Sequence, residues 1–172
     1  MKVIDLKIDK EFETLIPPLT DEEFKQLREN ILSAGRVKDA LTVWDGTILD
    51  GHNRWKIIQE FPEMPFRVEQ MEFKTRNEAM AWMIRNQLGR RNLLNYDRAR
   101  LALRLKPILV EEAKKRQATS TGGENPQLKQ KSAEGVKGQV RDELAKAAGV
   151  SHDIIDKVQF IENNATYANI DA

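Results

Sequence analysis

Two short β-prone runs face each other across an Asp-Gly pair: Leu41-Thr42-Val43-Trp44, then Asp45-Gly46, then Thr47-Ile48-Leu49. No other stretch limits the fold so closely. A two-residue loop of this kind needs positive φ at both positions, and it fixes the register of an antiparallel pair. Around this hairpin the sequence alternates strand-like and helix-like segments, so the expected class is α+β. Lys2–Ile8 alternates polar and apolar residues and suits an opening strand. After Pro17-Pro18, Thr20-Asp21-Glu22-Glu23 forms a capping box for a helix carrying Phe24, Leu27, Ile31 and Leu32, with Gly35 placed to close it. A helical run over Trp55–Phe61 follows the hairpin, and Phe66–Phe73 alternates as a strand. A second capping box, Thr75–Glu78, opens a helix through Ala79, Trp82, Met83 and Ile84 that stops near Gly89. Asn95 is expected to cap the next helix, which Pro107 kinks or splits. Trp44, Trp55 and Trp82 are expected in the core.

Composition removes several classes of function. Among 172 residues there is no cysteine, which excludes disulfides, thiol nucleophiles and thiolate zinc sites. The two histidines, His52 and His152, lie in separate segments, so a histidine metal centre is not expected. No apolar run approaches the roughly 20 residues that span a bilayer, and the N-terminus has no secretory pattern. A cytoplasmic protein is expected. The formal net charge is only +1, but it is unevenly spread. Residues 1–80 carry 12 Lys and Arg against 16 Asp and Glu, and residues 81–172 carry 16 against 11. The basic second half favours a polyanionic partner there.

Residues 117–138 contain Gly122, Gly123, Gly135, Gly138 and Pro126 and almost no large apolar side chain. Such a segment cannot offset the entropy of ordering it and reads as a mobile linker. The expected division is therefore an α+β domain over 1–94, bridging helices over 95–116, the linker, and a helical unit over 139–172. In that last unit, Leu144, Ala145, Ala148, Gly149, Val150, Ile155 and Val158 fall where a helix-turn-helix needs them. Ala145 permits a close helix crossing, Gly149 takes the positive φ of the turn, and Val150 fills the space beneath it. Ser151 is a suitable N-cap for the second helix. The outward residues are then Ser151, His152, Asp153, Asp156 and Lys157. Arg141, Lys146 and Lys157 are placed for phosphates, and Ser151 and His152 for base edges. The plainer alternative is an αα-hairpin used for packing.

A glycine between a strand and a helix leaves backbone N–H groups free to meet an anion. Gly51-His52-Asn53-Arg54 has that arrangement and adds an arginine. A second polar cluster, Asn86-Gln87-Leu88-Gly89-Arg90-Arg91-Asn92, follows the later capped helix. Together Gly51, His52, Asn53, Arg54, Gln87, Arg90 and Arg91 form a candidate phosphate clamp, against the alternative of solvated helix ends. Asp45 with Asp50 makes a poor catalytic pair, because the turn already accounts for Asp45. No catalytic residue and no metal ligand is assigned.

The order of the hairpin, Gly51–Arg54, the polar cluster at Asn86–Leu93, the helix from Asn95 and the terminal helix-turn-helix resembles the ParB/RepB partition family. The resemblance runs from about Ile4 to Ile161, and the segments Val140–Ala145 and Gly149–Ser151 look like ParB-like proteins of phages and mobile elements. It implies a small mixed-sheet domain of the ParB/sulfiredoxin type followed by an all-α DNA-binding region. In this family one motif typically reads Gly-Glu-Arg-Arg, of which Gly51 and Arg54 match while His52 and Asn53 depart. The second typically reads Glu-Asn-x-x-Arg, of which Arg90 matches. Those motifs hold CTP with magnesium in the family, so the resemblance implies CTP with Mg as a ligand here, with the substitutions at His52 and Asn53 counting against CTP hydrolysis and the lost carboxylate removing support for the metal. It also implies double-stranded DNA as partner, a homodimer, and a partition ATPase. Two rivals stay open: a nucleotide-phosphate enzyme (a CTPase or phosphotransferase) and a protein-interaction adaptor. The sulfiredoxin reaction is excluded by the absence of cysteine.

Overall fold

The structure is a computed structural model that describes residues 6–89, 93–119 and 126–168, with the backbone alone given for 117–119, 126–134 and 165–168. Two compact units are present, Met1–Met83 and Ile84–Ala172. No helix among the described residues is long and apolar enough to cross a membrane.

The first unit is built on a three-stranded mixed sheet of order β2-β1-β3. Strands β1 (Leu41–Trp44) and β2 (Thr47–Asp50) form the expected hairpin. Asp45 and Gly46 take φ of 48° and 71°, as a type I′ turn requires. Register jumps from Thr42 opposite Asp50 to Val43 opposite Ile48, so β2 carries a bulge at Leu49. The extra residue turns both Ile48 and Leu49 inward, where both are buried, and bends the strand just before Gly51. Strand β3 (Val68–Gln70) pairs parallel with β1. It is shorter than the expected Phe66–Phe73. Of the opening strand, Lys7 makes one isolated bridge to Thr47, and residues 1–5 lie outside the described residues.

Helix α1 (Lys10–Leu15) was not expected from periodicity. The Asp9 carboxylate caps it by accepting from the Glu11 and Phe12 N–H groups, and it buries Phe12 and Leu15. Arg76 holds it from across the chain, with Nη2 at 2.8 Å from Asp9 and 2.7 Å from Glu11 and its guanidinium 4.2 Å from the centre of the Phe12 ring. Helix α2 (Asp21–Ala34) has the full Thr20/Glu23 capping box and closes on Gly35 at φ 62°. Helix α3 (His52–Glu60) starts three residues earlier than expected, so His52, Asn53 and Arg54 form its first turn. The core joins Ile31, Leu41, Val43, Ile48, Ile57 and Trp55, with Phe66 edge-on to Trp55 at 6.0 Å. Trp44 and Trp82 differ from the expectation. Both are half-buried and flank Phe73, at 6.3 and 6.0 Å between ring centres.

Helix α4 (Arg76–Leu88) starts from Thr75, whose hydroxyl accepts from the Glu78 N–H, while Glu78 reaches back to the Lys74 N–H. The division between units falls inside α4, not at residue 94. Its buried Ile84 and Leu88 belong with the helical unit. That unit contains α5 (Asn95–Leu103), α6 (Lys106–Thr119), α7 (Pro126–Ala148) and α8 (His152–Ala168). Leu94, not Asn95, is the N-cap of α5. Pro107 splits α5 from α6 and lies in the first turn of α6, where its missing N–H costs no helical bond.

The bridging helices are not a separate part, because α5 packs against both α7 and α8. The stretch 126–138, expected as part of the linker, has a helical backbone and is continuous with the rest of α7. Gln, Lys, Ala and Glu favour helix over that stretch and Pro126 suits a first helical position, which outweighs Gly135 and Gly138. The remainder of the expected linker, 120–125, lies outside the described residues.

Candidate functional site

Gly51 sits between the bulged end of β2 and α3, at φ 103° and ψ 19°, and no side chain caps the helix there. The first N–H groups of α3 therefore have no capping partner from a side chain. A Cβ at Gly51 would stand 2.5 Å from Leu41 Cδ2 and 3.0 to 3.1 Å from the Arg54 guanidinium, so any other residue here strains the turn. Arg54 Nη2 donates to the Ala40 carbonyl and to the Asp50 carboxylate, both at 3.1 Å. The guanidinium is folded back over the turn and helps to shape it. Its Nε is buried without a hydrogen-bond partner, and so is His52 Nε2 in the same turn. Burial pushes the His52 pKa down, against the opposing pull of Glu13 and Asp50, which favours the neutral imidazole.

The structure thus brings Gly51, His52, Asn53 and Arg54 into one helix-opening turn with uncapped backbone N–H groups and an unpartnered Arg54 Nε. Gln87 is half-buried on the last turn of α4, in the other unit. Arg90 and Arg91 lie outside the described residues. Unspent donors at a helix start fit a phosphate. A metal finds less: no group of three or more Asp, Glu or His is placed to hold one among the described residues, and Asp50 is already engaged by Arg54. Asp45 belongs to the hairpin turn, as its φ of 48° shows.

The second site is the turn between α7 and α8. Gly149 has φ 65°, the Val150 N–H bonds the Ala145 carbonyl at 3.1 Å, and the Gly149 N–H bonds the Lys146 carbonyl at 3.3 Å. This is a Schellman closure of α7. The Ser151 carbonyl accepts from the Ile154 and Ile155 N–H groups and starts α8. Ala145, Ala148, Ile155 and Val158 are buried in the helical unit, a burial that a packing αα-hairpin and a helix-turn-helix share.

Arg98 on α5 completes the turn and is a residue that sequence reasoning missed. Its Nε donates to the Ala148 carbonyl at 2.6 Å, and a Cβ on Gly149 would meet its Nη2 at 3.3 Å. Only the arginine's identity was visible in the sequence, because its partner lies 50 residues further on.

Every residue expected to face outward is exposed: Ser151, His152, Asp153, Asp156 and Lys157, together with Arg141 and Lys146. Their charges are partly spent on neighbours. His152 Nε2 lies 3.1 Å from Asp142, and Arg141 lies 3.6 Å from Asp156. Arg141 is thus tied to an aspartate and not held out toward a phosphate. Lys146 and Lys157 have no ion-pair partner among the described residues.

A small mixed α+β unit followed by a helical unit in which α7 and α8 meet at a tight glycine turn defines the fold of this chain. Among solved structures it is similar to the pNOB8-like ParB N-domain. One structure of that domain superposes with a TM-score of 0.65 at 16% identity over 95% of this chain and 67% of the other. A second gives 0.60 at 17% identity over 92% of this chain, which spans 61% of that one. The fold is therefore that of a ParB N-domain. No family model matches the sequence. No curated protein matches it either.

Proposed function

We propose that this chain is a ParB-type DNA-binding protein that reads duplex DNA through the outer face of α7 and α8, in partition or in regulation of a mobile element. One observation carries this reading. The α7–α8 pair has the tight Gly149 turn of a helix-turn-helix, buries its inner face against α5, and leaves the start of α8 exposed. In such a unit the second helix enters the major groove, and dimers read two-fold sites. The likeness to ParB N-domains supports the same reading.

Selection of bound fragments from a random duplex pool tests it. A recovered motif that disappears with the His152→Ala, Lys157→Ala double variant supports the reading helix, since both side chains are exposed and the fold should be unaffected. Failure to enrich any motif would count against it, as would an unchanged motif in the double variant.

A second reading concerns Gly51–Arg54, where the uncapped N–H groups that open α3 and the unpartnered Arg54 Nε favour a phosphate-bearing ligand. CTP with magnesium is the ligand that the ParB resemblance implies. When bound it would supply a phosphate chain for the α3 turn to hold, and this chain's part is to orient that chain through backbone N–H groups. Isothermal titration with CTP, ATP and inorganic phosphate distinguishes a nucleotide site from a simple anion site. Absence of heat with all three would remove the reading. A partition ATPase as partner belongs to the same proposal.

A further inference from the structure

Three helices of the helical unit each turn an apolar side chain and a polar one toward a common space. Val110 and Lys114 stand one turn apart on α6, Lys137, Val140 and Leu144 follow one face of α7, and Ile155 and Gln159 stand one turn apart on α8. The three faces surround a groove of about 900 Å³. Ligand clefts run from roughly 300 to 1,000 Å³, and the space between bundled helices is one of the places where they form. Val140, Leu144 and Ile155 are buried and Val110 is half-buried, so the floor is apolar.

Charge around this floor is unbalanced. Lys106, Lys114, Lys137 and Arg141 border it, against the single carboxylate of Asp156. Asp156 is already paired with Arg141 at 3.6 Å, and Lys106 donates to Gln159 at 2.8 Å. Those two contacts tie α8 to α7 and to α6 and so hold the walls. Lys114 and Lys137 are exposed, and neither has an ion-pair partner among the described residues. An apolar floor edged by two unspent ammonium groups suits a molecule with an apolar body and an acidic head, which leaves water along its body and keeps its charge at the rim. A bare phosphate has no body to bury there, and a cationic amphiphile meets like charge. We propose that the α6–α7–α8 groove binds an amphiphilic carboxylate, its chain along Val110, Val140, Leu144 and Ile155 and its head at Lys114 and Lys137. Leu144 and Ile155 also pack α7 against α8, so ligand and duplex affinities are linked if the nucleic-acid reading above holds. The groove itself does not depend on that reading.

Titration of the full chain with decanoate, without DNA, tests the inference by calorimetry and by methyl NMR. A ligand of this size should bind saturably with a Kd on the order of 100 µM, moving the methyl signals of Val110, Val140, Leu144 and Ile155. Decyltrimethylammonium, with the same chain and the opposite charge, should bind about 10-fold more weakly, and acetate, with the head alone, should not bind. Lys114→Glu with Lys137→Glu should invert the preference between decanoate and decyltrimethylammonium. Both lysines are exposed, so circular dichroism should be unchanged. No saturable binding of decanoate, methyl shifts confined to other parts of the chain, or an order of preference that the double variant leaves intact would each overturn the inference. So would silence toward decanoate with shifts at the same methyls on adding a designed Glu/Leu amphipathic helix or on raising the protein concentration, because a protein segment or a second copy would then be the occupant.

Discussion

At Gly51 the positive φ of 103° and the 2.5 Å approach of Leu41 Cδ2 act together, whereas Gly46 has φ 71° with open space around it. A left-handed backbone costs a non-glycine residue about 1–2 kcal/mol, and forcing a methyl into packed space adds about 1–3 kcal/mol. Gly51→Ala should therefore destabilise the chain clearly more than Gly46→Ala in urea unfolding. Equal losses would show that the turn is not sterically closed. His52 tests the same turn through protons. Burial lowers its folded pKa, so as pH falls below the ordinary value of about 6.5 the unfolded chain takes up the proton first. Stability from this group is full above that value and is lost as pH falls toward the folded pKa. Wild type should thus lose more stability than His52→Gln between about pH 7 and pH 5. Parallel curves for the two would mean that the imidazole is not buried.

At the scale of elements, the features that sequence patterns expose are those whose causes lie a few residues apart. The Asp45-Gly46 turn, the Thr20/Glu23 box, the Gly35 stop and the Gly149 closure are all local, and each stands where the pattern puts it. What was missed depends on distant partners. Helix α1 has six residues and no readable period, and it is held by Arg76, which also keeps the Asp9 carboxyl below its usual range. Arg98 likewise acts on a turn far along the chain. Trp44 and Trp82 are half-buried where the pattern predicts core, because periodicity does not reveal how wide a helix or sheet face is covered. Helix α7 is the instructive case, since glycine content pointed to a linker while the helix runs through both glycines. Gly138 has no heavy atom within 4 Å of a built Cβ and no positive φ. Gly138→Ala should accordingly stabilise the helical unit by about 0.5–1 kcal/mol in chemical denaturation. Destabilisation instead would argue that this stretch is not helical in solution.

For the whole molecule, near-neutral net charge conceals a more basic second half, and pairing on its surface reduces what that charge can do. Arg141 and His152 each face an aspartate, which leaves Lys146 and Lys157 as the unpaired cations among the exposed residues expected to meet DNA. Under the proposed function the helical unit is therefore expected to bind DNA modestly, with specificity resting on shape and base edges more than on attraction to phosphates. The ParB N-domain fold accounts for both units, and the nucleic-acid reading rests on the second. Fluorescence anisotropy of a labelled selected duplex, from about 50 to 200 mM salt, measures this directly through the slope of log affinity against log salt. Each phosphate contact contributes about −0.9, so wild type should show a slope of about −2 per chain from the two lysines, and Lys146→Ala with Lys157→Ala should remove most of it. An undetectable affinity at the lowest salt, or a slope that the double variant leaves unchanged, would contradict the assignment of α7 and α8 as the DNA-reading surface.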